Sequence, residues 1–386
     1  MTNTIFNIAA RETGRLLKGR IYWFCIFLVP CISCLFFLTM MHEGLPTDLP
    51  IAVVDLDNTA ASRNLSRQLN AFEGTQIVAQ YNDFSQAQTE MQQGHIYGIF
   101  YIPRNFTQET VAGKRPVLSF YTNNTYLIAG SLLFKDMKTV ATLATGAVVL
   151  QTGRARGQRD EQLIAAVQPI AIETHPVGNP WLNYSVYLSN IILLGILTLM
   201  IMCVTVYSIG IEVKEKTIGE WLPSGNASIL PALAGKLIPQ TILFFIAGIG
   251  IFFSLYIFMH FPVHHIVNML GALLLFIVAS QALGVFMIGC FPTLRLALSF
   301  ACLFGMFAFS ITGFTFPVDA MYPPLQALSH LFPLRHYFLI YVDQALNERS
   351  FACSLPHYAA LLAFLAAPLI TLHHLTWSLK NVPYKR

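Results

Sequence analysis

Tyr184-Ser-Val-Tyr-Leu-Ser-Asn-Ile-Ile-Leu-Leu-Gly-Ile-Leu-Thr-Leu-Met-Ile-Met-Cys-Val-Thr-Val-Tyr-Ser-Ile-Gly210 contains no charged residue. A helix needs about 20 such residues to cross roughly 30 Å of hydrocarbon, so this stretch reads as a membrane span. Runs of the same kind lie on both sides of it, at Ile21–Met41, Leu237–His260, Ile266–Phe291 and Leu296–Phe314. A sixth, from about Tyr358 to Trp377, is interrupted by Pro368, His373 and His374. Charged residues make up 11% of the chain, where a soluble domain has about 25%. The reading is a polytopic α-helical membrane protein with six transmembrane helices.

The first run is expected to be a retained anchor, not a cleaved leader. It is longer than the h-region of a signal peptide, about twenty residues precede it, and Met40-Met41-His42-Glu43 offers no small-residue cleavage site. Arg11, Arg15, Lys18 and Arg20 precede it and place that end in the cytoplasm. Counting spans from there puts Lys214, Lys216, Lys236, Arg295, Lys380, Lys385 and Arg386 on the same side, with both termini cytoplasmic. The net charge of +4 is therefore a matter of topology and does not indicate nucleic acid.

Residues 42–180 follow a different pattern. Apolar runs at Ile51–Val54, Ile77–Tyr81, Ile96–Ile102 and Val117–Tyr121 read as strands. Ala60–Phe72, Ser85–Gln93, a short segment after Pro103 and a long stretch from Thr125 to Gln158 read as helices, and Pro169–Glu173 as a last strand. This is a mixed α/β extracytoplasmic domain inserted between the first and second spans. The full division is an amphipathic interface helix at 1–20, a first span at 21–41, the inserted domain at 42–180 and the remaining spans at 181–386. In the interface helix, Ile5, Ile8, Ala9 and Leu16 are expected to lie on the membrane.

The middles of the spans hold no Asp, Glu, Lys or Arg, which argues against ion-coupled transport. No phosphate-binding G-x-x-x-x-G-K-[ST] loop is present, so any ATP hydrolysis belongs to another chain. No cofactor or metal site is expected; Cys31-x-x-Cys34 lies in hydrocarbon without a partner pair. Asp55-Leu-Asp57-Asn58-Thr59 matches a D-x-D-x-T phosphatase nucleophile loop, which makes a membrane-tethered phosphatase one alternative. Its structural reading is a strand end followed by a helix cap. A receptor or scaffold is another alternative. The densest charged stretch near the membrane is Glu212-Val-Lys214-Glu215-Lys216-Thr217-Ile-Gly219-Glu220-Trp221, read as a docking segment with Trp221 as its anchor.

Several stretches together resemble permease subunits of type-2 ATP-binding-cassette (ABC) exporters with a large outer domain after the first span. Glu215-Lys-Thr217-Ile-Gly219-Glu220 resembles that family's charged E-x-G-T-x-E loop, with Thr and Gly in a different order. Gly235-Lys236-Leu-Ile-Pro239 resembles the start of its third span, and Phe120-Tyr121-Thr-Asn123-Asn124 a segment of its outer domain. Thr312-Gly313-Phe314-Thr-Phe316-Pro317-Val-Asp319-Ala-Met321, with Gln326, Ser329, Pro333 and Tyr337, resembles its re-entrant outer segment, here near 316–345. The resemblance implies a transmembrane domain starting near 135 and a partner ABC ATPase docked on Glu212–Trp221. It also implies a second permease, identical or paralogous, and localisation in a bacterial inner membrane. A periplasmic adaptor and outer-membrane channel are further candidate partners, and a drug, lipid or other amphiphile is the expected cargo.

Overall fold

The computed structural model describes residues 2–42, 44–168, 173, 175, 178–179, 183–224 and 228–381. The chain divides into two compact units, 1–42 with 176–386, and 43–175.

The first unit is helical. After an amino-terminal helix, Thr2–Lys18, six helices among the described residues are long and apolar enough to cross a membrane. They are span 1 (Arg20–Met40), span 2 (Tyr184–Lys214), span 3 (Ile229–Ile257), span 4 (Ile266–Cys290), span 5 (Leu294–Ile311) and span 6 (Phe351–Leu379). Spans 2 and 4 are the most buried and spans 1, 5 and 6 the least, so 2 and 4 form the centre. Span 2 begins at Asn183, whose side chain accepts from the Ser185 and Val186 amides and so satisfies donors that the helix leaves orphaned.

Two distortions follow from proline, which lacks an N–H and clashes with the carbonyl four residues back. In span 1 the wide turn Phe24–Leu28 precedes Pro30. In span 6 the tight turn Phe364–Ala366 precedes Pro368, whose missing partner is the Phe364 carbonyl.

Span 3 starts eight residues before its continuous apolar run, at Ile229, so Lys236 lies within the helix and is buried. The sequence reading had Gly235-Lys236 at the entry to the third span; the helix begins earlier and takes Lys236 inside. Among the glycines of spans 3 to 5, a Cβ at Gly248, Gly284, Gly289 or Gly305 would crowd another span, whereas Gly250 and Gly271 face open space.

Span 5 ends at Gly313, whose φ of +101° lets the chain turn back sharply. Arg335 fixes the turn by donating to the Thr312 carbonyl at 3.1 Å. A short 3-10 turn and the helices Pro323–Ser329 and Pro333–Tyr341 follow, each helix opened by a proline at its first position. In this segment Phe314 and Pro333 are buried, Met321 is half-buried with its carbonyl accepting from Gln326, and Phe316 and Pro317 are exposed.

The second unit is α/β. Among the described residues four strands, β1 (Leu49–Asp55), β2 (Thr75–Tyr81), β3 (Gly98–Ile102) and β4 (Ser119–Thr122), form a sheet in the order β2-β1-β3-β4. β1 is parallel to β2 and β3, and β4 is antiparallel to β3. Ile51, Ala52, Val53 and Val54 are all fully buried, as a central strand covered on both faces requires. Ile51 and Val53 pack with Leu65 and Leu69 of helix Ala60–Leu69 and with Leu133, Met137 and Val140 of helix Leu127–Ala155. Ala52 and Val54 turn to the other face, against Ala87 of helix Phe84–Gln93. The expected strand Pro169–Glu173 lies outside the described residues, apart from Glu173, which is in no element.

Candidate functional site

Charge does not belong in a low-dielectric interior unless it is paired and hydrogen-bonded. Three charged side chains are nevertheless buried together, Glu12 of the amino-terminal helix, Glu212 near the end of span 2, and Lys236 near the start of span 3. The Lys236 ammonium donates to Glu12 Oε2 and to Glu212 Oε1, each at 2.8 Å. Arg11 donates to Glu212 at 3.0 Å and Arg15 at 2.5 Å, and Thr217 Oγ1 also donates to that carboxylate. Gln240, one turn beyond Lys236, donates to Glu12 Oε1 at 3.2 Å. Arg15 also lies 3.6 Å from Glu215, so three cations meet three carboxylates and the cluster is formally neutral.

The segments are brought together by packing. Ile8, Glu12 and Leu16 are all buried and recur every four residues, so the amino-terminal helix presents one stripe to its neighbours. A Cβ on Gly235 would fall 2.7 Å from Ile8 Cβ and 3.0 Å from the Ile5 carbonyl, so the absence of a side chain there admits the helix. This corrects the expectation that Ile8 and Leu16 lie on lipid: both pack inside the protein, and Phe6 and Leu17 are the exposed apolar residues of that helix.

The connector between spans 2 and 3 sorts into two sets. Glu212 and Lys214 belong to span 2 itself, and Lys216 turns the chain with a φ of +60°. Lys214, Glu215, Lys216, Gly219 and Glu220 are exposed, and Thr217 is half-buried. Trp221 is fully buried, in the short helix Ile218–Ser224. Its ring lies 5.1 Å from the Lys236 ammonium and its indole N–H donates to the Ala232 carbonyl at 3.3 Å. The indole is thus an internal brace, and the expected surface anchor is replaced by a ring covering the cluster from inside.

Sequence reasoning passed over Glu12, Lys236 and Gln240 as members of this site. The signal was present in two places: a carboxylate on the apolar stripe Ile8–Glu12–Leu16, and Lys236 with Gln240 four residues apart on one face of an apolar helix.

The D-x-D-x-T stretch builds a turn. Asp55 accepts from the Asp57 and Asn58 amides and from Ser62 Oγ. Thr59 caps helix Ala60–Leu69 in a reciprocal arrangement with Ser62. Asp57 accepts from Thr59 Oγ1 and from the amide and hydroxyl of Thr107. Burial acts to raise the Asp57 pKa, but these hydrogen bonds outweigh it and hold the carboxyl below its ordinary value.

A family model for the ABC-2 family transporter protein matches residues 20–372. No curated protein matches the chain. The match takes in all of spans 1 to 5, most of span 6 and the connector that carries Glu212 and Trp221. The chain therefore belongs to the ABC-2 family of transporters, as a multi-pass membrane permease.

Proposed function

We propose that this permease is one half of the membrane pathway of an ATP-driven exporter. A second permease, identical or paralogous, completes the pathway, and separate ABC ATPase subunits power it. The surface offered to the ATPase is the exposed part of the connector, Lys214, Glu215, Lys216, Gly219 and Glu220, beside the amino-terminal helix. The observation that carries this reading is the buried cluster, because Glu212 and Lys236 tie that surface to spans 2 and 3 at once. A push on the connector is then delivered to both spans and is not absorbed in a loose loop.

Buried ion pairs seldom stabilise a fold more than well-packed apolar residues would. Their use here is to fix the relative position of three segments. Arg11, Arg15 and Lys18 support a cytoplasmic amino terminus, which puts the cluster on the ATPase side and the α/β unit outside. An apolar cleft of about 470 Å³ lined by spans 3, 4 and 6 supports an amphiphilic cargo. The Thr241 hydroxyl, donating to Gln281 at 2.7 Å, is its main polar feature. The family resemblance supports the inner membrane of a bacterium as the site of action.

The test is reconstitution into proteoliposomes. The chain alone should hydrolyse no ATP, and with its ABC ATPase it should co-purify and support ATP-dependent movement of an amphiphilic dye. Hydrolysis by the chain alone, or dye movement indifferent to ATP, would overturn the assignment.

A further inference from the structure

Beside the buried cluster lies a second feature, which shares Arg11, Arg15 and Glu215 with it. A cleft of about 480 Å³ opens between the carboxyl-terminal half of the amino-terminal helix, the start of span 1 and the end of span 2. Its lining includes Arg11, Arg15 and Lys18 against a single carboxylate, Glu215. Arg11 and Arg15 each turn one edge to Glu212, yet their side chains stay about a quarter exposed, at 28% and 26%. A guanidinium has five N–H donors, so both keep donors for a ligand. Lys18 is exposed and has no hydrogen-bond or ion-pair partner among the described residues.

The lining is also aromatic. Tyr22 and Tyr207 meet edge to face at 5.6 Å and both line the cleft. Leu17, Ile21, Trp23 and Phe24, next in sequence to the lining residues Lys18 and Tyr22, are all exposed, and the Trp23 indole N–H donates to the Leu17 carbonyl. Tryptophan in that setting marks a membrane–water boundary. Gly14 leaves the floor open, since a Cβ there would meet nothing within 4 Å. Three cations and two aromatic rings in one cleft, with exposed apolar side chains on the same two helices, make a site for one molecule with an anionic head and an apolar body.

We infer that this cleft binds the phosphate headgroup of an anionic phospholipid of the adjoining leaflet, with Arg11, Arg15 and Lys18 on the phosphate and the acyl chains leaving past Tyr22 and Tyr207. The inference rests on the membrane placement of the amino-terminal helix in the reading above, and its test does not involve the ATPase. The Tyr22, Tyr207 and Ile211 side chains in the lining, and the exposed apolar residues of the same helices, select a lipid over free phosphate. Because Arg11 and Arg15 also hold Glu212, an occupied cleft braces the helix against span 2.

The test is native mass spectrometry of the detergent-purified full chain with phosphatidylglycerol, phosphatidylcholine or inorganic phosphate. Phosphatidylglycerol should be retained, phosphatidylcholine should not, and excess inorganic phosphate should fail to displace it. Lys18→Gln should weaken retention about fivefold, as expected for one lysine at a charged surface. Gly14→Leu fills the cleft without removing a charge and replaces a poor helix former with a good one, and it should abolish retention. Displacement by inorganic phosphate would make this a free-anion site and overturn the lipid assignment. Wild-type retention in both variants would place the lipid elsewhere. Specific retention in a chain that binds no ATPase would leave the cleft standing while the coupling reading falls.

Discussion

Lys236→Met removes the span 3 cation that pairs with both Glu12 of the amino-terminal helix and Glu212 of span 2. Lys236 is 1% exposed and lies 2.8 Å from both Glu12 and Glu212. The two carboxylates do not suffer equally. Glu212 keeps Arg11, Arg15 and Thr217, but Glu12 keeps only the Gln240 amide at 3.2 Å. Removing one partner of a buried pair costs about 3–5 kcal/mol, mostly from the charge left behind. With Glu212 compensated, the lower end applies, so the loss is about 3 kcal/mol. For a helical unit of this size that corresponds to a fall of about 6–12 °C in thermal midpoint. Glu12→Gln in the same chain neutralises the stranded carboxylate, so the double variant should recover part of the loss. The assay is thermal unfolding in one detergent at a fixed scan rate, following tryptophan fluorescence. Wild-type stability in Lys236→Met, or a double variant no better than the single one, would refute the pairing.

Other expectations follow from the same geometry. Gly235→Ala should force the amino-terminal helix off span 3, costing about 1–3 kcal/mol of overpacking, and amide exchange over residues 5–18 should rise. Exchange no faster than wild type would show that the contact tolerates a methyl group. Asp57 has a folded pKa below its unfolded one, so its contribution is present above the usual carboxylate range and is lost as pH falls through the folded value. Asp57→Asn should therefore flatten the acid-side loss of amide protection in the α/β unit, and an unchanged acid profile would assign that loss to other carboxylates. A cysteine at Gln108 should react with a membrane-impermeant thiol reagent in cells whose outer membrane is permeabilised. Reaction only after the inner membrane is opened would invert the topology.

The spans were legible because a membrane helix is a property of composition alone: twenty-seven uncharged residues from Tyr184 to Gly210 admit few alternatives. β1 was legible for a related reason, as a short continuous apolar run fits a strand buried on both faces. The buried cluster was not. Arg11 and Glu212 are 201 positions apart, and nothing local pairs them. A charge-dense connector looks solvated throughout, whereas the fold turns Glu212 and Trp221 inward and leaves Lys214, Glu215, Lys216 and Glu220 outside. Lys236 was read at the entry to the third span because the apolar run starts after it; its burial depends on two carboxylates brought by distant segments.

The coupling claim is tested most directly by reversing the exposed charges while leaving the buried ones intact. Glu215 and Glu220 are both exposed, and neither is needed to satisfy Lys236. Exposed charges contribute about 0–1 kcal/mol each to stability, so a chain carrying Glu215→Lys and Glu220→Lys should insert and unfold as wild type does. Against a fitted ATPase surface the same changes replace attraction with repulsion. The measurement is co-purification of the ATPase with the reversed chain, together with ATP turnover in proteoliposomes. The account predicts loss of both with an unchanged thermal midpoint; wild-type co-purification and turnover would contradict it.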